Sequence, residues 1–230
     1  MSFSSPLHAH VVFTIGPVPI TQPVVTTWGL MVVISLASWW FTRKMSIEPS
    51  PVQAALEALV ETIEQQIREV VESDPSPYLP LLGTLFVYLL LANWSSMVPG
   101  VEPPTANLET DAALALVVFC ATIAFGVREL GWRGYLGSFA RPSWVLAPLN
   151  LVEMFTRSFS LMVRLFGNVM SGVVMIGVVL SLAGLFVPIP LMALELLTGA
   201  VQAYIFASLA MVFIAGAISE AKASEKEKSP

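Results

Sequence analysis

Ser160-Leu161-Met162-Val163-Arg164-Leu165-Phe166-Gly167-Asn168 sets one guanidinium at the edge of a long apolar run, and after Arg164 no Asp, Glu, Lys or Arg occurs until Glu195. An arginine at the centre of a bilayer costs about 2.5–3.5 kcal/mol on insertion scales and about 10–17 kcal/mol in simulations. The guanidinium cannot escape that cost by losing its proton. Arg164 is therefore a candidate functional residue that needs an anionic partner. No acid lies within one helical turn of it, so the partner must come from another helix or another subunit.

The rest of the chain is as apolar as this stretch. Of 230 residues, 56% are hydrophobic and 12% are charged, against about 25% charged in soluble domains. The fold class expected is an all-α polytopic membrane protein forming a single membrane domain. The net charge of -5 says less than where the charges lie. The one cysteine, Cys120, excludes an internal disulfide and a Cys-rich metal site, and it reads as a packing residue of an apolar helix. Met1–Pro23 is proline-bearing and carries no Lys or Arg. It lacks the basic start of a secretory signal peptide and the Arg-rich character of a transit peptide.

Five membrane-crossing helices and one amphipathic surface helix are expected. Residues 24–42 form an uncharged stretch long enough for a hydrocarbon core of about 30 Å, and Arg43 and Lys44 end it. Residues 49–73 differ. Val52, Leu56, Leu59, Val60, Ile63, Ile67, Val70 and Val71 recur at helical spacing, with Glu57, Glu61, Glu64, Arg68, Glu69 and Glu72 between them. That pattern predicts an amphipathic helix on the membrane surface or on a partner. Residues 78–98 and 110–128 read as spans, with Trp94 as an interfacial anchor, and 129–141 as a polar, basic loop. Residues 143–180 and 186–220 are expected as a long, tilted antiparallel pair joined at Pro188 and Pro190, followed by a charged tail over 221–230.

Five crossings would put Arg43, Lys44, Arg68, Arg128, Arg133, Arg141, Lys222, Lys226 and Lys228 on one side. The loops on the other side hold no Lys or Arg. The positive-inside rule then puts the N-terminus outside and the C-terminus, with the amphipathic helix, in the cytoplasm.

Polar residues recur on one face of the last two helices. Glu153, Arg157, Arg164 and Asn168 are spaced by four, seven and four, which makes a stripe. Glu153 and Arg157 can pair at i, i+4, and Arg157 also reads as a snorkelling end-of-helix residue. On the other helix Glu195 and Gln202 lie seven apart, with Thr198 near that face. Glu195 reads either as a salt-bridge mate of Arg164 or as a protonatable relay. Asn168 and Gln202 could equally serve as helix–helix hydrogen-bonding residues. Gly167, Ser171, Gly172 and Gly177 give the helix a thin surface for close packing or sliding. His8 and His10 form a His-x-His pair, which is weak evidence for a metal. Glu102, Glu109 and Asp111 could attract cations to an entrance or simply be solvated loop acids.

These residues carry a family likeness. Ser160-Leu161-x-x-Arg164-Leu165-Phe166-Gly167-Asn168 resembles the signature of subunit a of the F-type ATP synthases. Pro104-Thr105-Ala106-Asn107-Leu108 and Gln202-Ala203-Tyr204-Ile205-Phe206 resemble two further motifs of that family. The order and spacing extend over Tyr78–Ser219. The short, compact chain also resembles the N-type ATPase variety. The resemblance implies an ion-translocating stator subunit with two half-channels. Arg164 would face the carboxylates of an oligomeric c-ring, with Gln202 opposite it, Asn168 one turn on and Asn107 near a half-channel. Glu195 stands where members carry His or an acid. Val173 stands where some members carry an acid, which leaves Glu195 as the relay on that side. The partners implied are the c-ring, peripheral stalk subunit b, the lipid bilayer and H+ or Na+, with no cofactor, no metal and no nucleic acid. The location implied is a bacterial plasma membrane.

Two other function classes stand beside this one. A stand-alone secondary transporter with a buried Arg/Glu site would commonly show matching halves, and no such repeat is evident. An intramembrane enzyme would need a nucleophile–base pair, a metal-spaced His/Glu set or a phosphate-binding Gly loop, and none occurs. No catalytic site for ATP is expected in this chain.

Overall fold

A lipid-facing backbone has no water to pair with, so an apolar segment that crosses a bilayer must close its own hydrogen bonds as a helix. The computed structural model describes residues 11–15, 18–43, 50–71, 74–98, 101–139, 147–184 and 186–226. A hairpin of two antiparallel strands, β1 (Val11–Ile15) and β2 (Val18–Thr21), leads into α1 (Gln22–Thr42). Then come α2 (Pro51–Val71), α3 (Leu79–Trp94) with a 3-10 turn at Ser95–Met97, and a second 3-10 turn at Pro104–Ala106. The chain continues through α4 (Leu108–Phe139), α5 (Ala147–Ala183) and α6 (Ile189–Lys226). Five helices, all except α2, are long and apolar enough to cross a membrane.

The last helix is the hub. It packs against α3, α4, α5 and α2, and half of its apolar span is buried. Its inner face is Ala203, Phe206, Ala207, Ala210, Met211, Ile214, Ala215 and Ile218. The small residues in that set let neighbouring backbones approach, which matters in lipid because apolar side chains gain little by leaving it. Leu82, Leu85 and Leu89 of α3, Ala115 and Val118 of α4, and Leu161 and Leu165 of α5 complete the core. The first helix stays peripheral, with Pro23 its one buried residue.

Helix α2 lies against its own chain. Ile67 and Val71 are buried and Ile63 partly so, packed beside α3 and α6. The Gln66 amide donates to the Tyr204 hydroxyl at 3.1 Å. Val52, Leu56 and Val60 remain exposed. The Arg68–Glu64 pair, at 2.9 Å, sits on the polar face and contributes about 0.3–0.5 kcal/mol.

Three segments depart from the sequence reading. The strand pair lies within the stretch read only as a polar lead; Pro19 sits opposite Thr14 in a two-stranded ribbon, where proline is tolerated because both strands are edges. The expected loop over 129–141 is helical through Phe139, turned at Gly131, whose φ of 70° falls in the left-handed region. Tyr135 of the returning segment lies against Gly126, where any Cβ would overlap its ring. The expected tail also begins as helix: α6 continues to Lys226, because Ala, Glu and Lys are strong helix formers.

Candidate functional site

The inner face of α5 is Leu161, Leu165 and Val169, all buried, at helical spacing of four. The same periodicity turns Glu153, Arg157, Ser160, Arg164, Gly167 and Ser171 outward, where all six are exposed. Arg164 makes no hydrogen bond or ion pair with any described residue. It stands out of the bundle as a bare charge.

An open cleft of about 530 Å³ runs along α5 from Leu149 to Arg164, floored by Leu209 and Phe213 of α6. Beside it a cavity of about 60 Å³ is lined by Thr122 and Tyr135 of α4 and by Asn150, Glu153 and Ser158 of α5. The Arg157 guanidinium donates to the Glu153 carboxylate and lies 5.6 Å from the centre of the Phe213 ring. Arg157 is thus tied to its own helix and to α6, while Arg164 is not. Polar side chains therefore line a route from the Glu153 end of the bundle to Arg164.

Toward the α5–α6 turn the polar groups lie inside. The Glu195 carboxyl rests on Gly172 of α5; a Cβ there would come within 2.6 Å of Glu195 Oε1. That oxygen meets neither solvent nor a hydrogen-bond partner. Among the described residues no ion pair joins Glu195 to Arg164. The Thr198 hydroxyl donates to the Glu195 backbone carbonyl at 3.1 Å. Gln202 is buried, and its amide nitrogen is also unpartnered. Stepping seven residues along each antiparallel helix from the Gly172–Glu195 contact brings Gln202 level with Leu165, next to Arg164.

Asn93 of α3 packs on Gly199 of α6. Its amide donates to the Gly199 carbonyl at 2.9 Å and its Oδ1 accepts from the Thr105 hydroxyl at 2.9 Å. Gly199 lies four residues after Glu195 and three before Gln202, on one helix face. A Cβ at Gly199 would stand 3.0 Å from Asn93 Cβ, so the glycine admits this amide. Trp94 donates its indole N–H to the Leu196 carbonyl at 3.1 Å, a specific contact for a residue expected only as an interfacial anchor.

Asn93 is thus bonded to Thr105 and to Gly199, on the α6 helix that also carries Glu195, Thr198 and Gln202, while Glu153, Arg157 and Arg164 lie along the outer cleft. Asn168 is half-buried, with no hydrogen bond among the described residues. Asn107 is half-buried, and its backbone carbonyl accepts from the Thr110 and Asp111 N–H groups at the start of α4. No described hydrogen bond joins the Asn107 side chain to Glu195 or Gln202. His8 and His10 lie outside the described residues.

Sequence reasoning gave Asn93 and Thr105 no role of their own and did not expect Asp111 to be buried. Asp111, read among the entrance acids, is fully buried with both carboxyl oxygens unpartnered. A signal was present: Asp111, Ala115, Val118 and Thr122 share one helix face, and all four are buried.

The family model described as the ATP synthase A chain matches residues 24–215. The chain is 57% identical to an "ATP synthase subunit a 2" from Bradyrhizobium sp. strain BTAi1 over 215 residues, covering 94% of this chain and 96% of that one. It is 45% identical to an "ATP synthase subunit a 2" from Pelobacter propionicus, again covering 94% of this chain and 96% of that one. An "ATP synthase subunit a" from Albidiferax ferrireducens is 46% identical, with 88% of each chain covered.

Proposed function

Since the chain belongs to the ATP synthase A chain family, we propose that it is the ion-translocating stator subunit of a rotary ATP synthase, with Arg164 acting on carboxylates of a rotating c-ring. The observation that carries this reading is the exposed guanidinium of Arg164, unpartnered among the described residues, at the end of an open cleft that Glu153, Arg157 and Ser160 also line. A permanent charge facing outward in an apolar span calls for an anion on another subunit.

Two access paths meet near that charge. The cleft past Glu153, Arg157 and Ser160 is the path from the cytoplasmic end. The path from the outer end runs by Glu195 and Gln202, with Asn107 near its mouth. The Lys and Arg distribution supports this orientation, with the N-terminus outside and the C-terminus in the cytoplasm of a bacterial plasma membrane. An arriving c-ring carboxyl gives up its H+ or Na+ as it nears Arg164, because the guanidinium stabilises the ionised form. The same charge repels cations and blocks a direct leak between the paths. Each elementary charge crossing the membrane gains about 2.3 kcal/mol per 100 mV, and the offset between the paths converts that gain into rotation. Asn168 and Gln202 keep the Arg164 neighbourhood polar. The exposed apolar side chains of α2 and of α1 are available to the peripheral stalk subunit b and to lipid.

The test is Arg164→Ala in complexes assembled in vesicles. ATP-driven ion uptake should be lost while the complex still assembles. Coupled uptake at the parent level in that variant would overturn the reading.

A further inference from the structure

An ionised carboxylate costs several kcal/mol when taken out of water, and it persists only when paired or neutralised. Asp111 has no exposed surface, and neither of its oxygens has a hydrogen-bond partner. It belongs to the buried face of α4 with Ala115 and Val118, whereas Glu109, two residues earlier, is exposed.

No described hydroxyl bonds to it; the Tyr88 hydroxyl of α3 donates instead to Thr27 Oγ1 of α1 at 3.4 Å. Neither α1 nor α3 contains an Asp, Glu, Lys, Arg or His. After Arg164, the only charged residue of α5 and α6 before Ser219 is Glu195. On α4 itself Glu109 is exposed, and Glu102 stands half-buried in the preceding loop. Among the described residues no fixed cation faces Asp111, which leaves its neutralisation to a mobile one. A buried carboxylate without a fixed counter-charge suits a proton or a small hard cation.

Asp111 is also joined to the Glu195 region. It closes the segment that begins at Pro104, and Thr105 of that segment donates to Asn93, whose amide holds the Gly199 carbonyl one turn beyond Glu195. We propose that Asp111 is a second cation-holding stage of the outer path, taking H+ or Na+ ahead of Glu195. The inference rests on the outer-path reading above. It supplies a second acid where Val173 leaves Glu195 without one.

The assembled wild-type complex is treated with dicyclohexylcarbodiimide, which reacts with protonated carboxyls, and the Asp111 peptide is followed by mass. Labelling that falls as pH rises identifies H+. Labelling that falls as Na+ rises at fixed pH identifies Na+. Labelling indifferent to both, or none at all, overturns the inference. ATP synthesis driven by an imposed ion gradient is then measured in Asp111→Asn and Asp111→Glu complexes. Asp111→Asn should slow it at least 5-fold and raise the outer ion concentration needed, leaving the dependence on the inner side unchanged. Asp111→Glu should restore most of the rate. Wild-type rates in Asp111→Asn, or an equal loss in both variants, would overturn it. If the wild-type chain itself sustains no coupled transport, the parent reading falls; if it does and Asp111 is silent, only this inference falls.

Discussion

Gly172→Ala separates a functional contact from ordinary helix packing. The added methyl would lie 2.6 Å from Glu195 Oε1 and 2.8 Å from its carboxyl carbon, where ordinary contact begins at 3.4 Å. The carboxyl must therefore retreat by about 0.8 Å, because the backbone of α5 is fixed by the buried side chains of Leu161, Leu165 and Val169. Glu195 is flexible and half-buried, so the retreat costs little stability and the complex should assemble. Misplacing a reacting group by about 1 Å can cost about 100-fold in rate. We expect ion-driven ATP synthesis to fall about 10-fold or more, or at least ~1.4 kcal/mol of barrier. Gly83→Ala on α3, where nothing lies within 4 Å of the new Cβ, should be silent. Glu195→Asp draws the carboxyl back by one methylene and should remove the overlap. In that background Gly172→Ala should cause little further loss. An undiminished rate in Gly172→Ala, or the same fold-loss with Asp at 195, would refute the contact as the cause.

Two further pairs of substitutions test packing elsewhere in the bundle. Asn93→Ala should destabilise the chain by about 1–3 kcal/mol in SDS titration of mixed micelles, since it removes two buried hydrogen bonds of a size typical for membrane helices. Combined with Thr105→Val it should show a coupling of at least about 0.5 kcal/mol, and strict additivity would sink the shared bond. Gly126→Ala should cost about 1–3 kcal/mol by overpacking against Tyr135. Tyr135→Ala in the same chain should recover part of that loss; no recovery would show that the ring is not the obstacle.

Helix content and span positions were legible because long uncharged runs admit few other structures in lipid. The motif around Arg164 was equally legible, and so was the Glu153–Arg157 pair, since both depend on spacing along one helix. What could not be read from spacing were contacts between helices. Spacing leaves Glu195 open between two roles and does not reveal that its carboxyl rests on Gly172 of the neighbouring helix. Asn93 lies in a segment read as a span ending in an anchor, and nothing local pairs it with Gly199, 106 positions away. Asp111 reads with Glu102 and Glu109 as either an entrance acid or a solvated loop acid. Its burial follows from the helical register it shares with Ala115 and Val118.

The outward stripe of α5 links the exposed arginine to the small residues around it. Arg164, Gly167, Ser171, Val174 and Val178 follow one another at intervals of three and four, and each is exposed. A Cβ at Gly167 or Gly177 would meet nothing within 4 Å, so these glycines do not serve packing inside the chain. Gly172, by contrast, is set by Glu195. The thin surface therefore divides in two: one glycine admits an acid from within, and the others keep the outer face low. On the function proposed above, a low face beyond Arg164 would let successive carboxyls of a partner pass without a steric barrier and meet the same guanidinium in turn. Enlarging Gly167 to Leu should accordingly impair rotation while leaving the Glu195 contact in place.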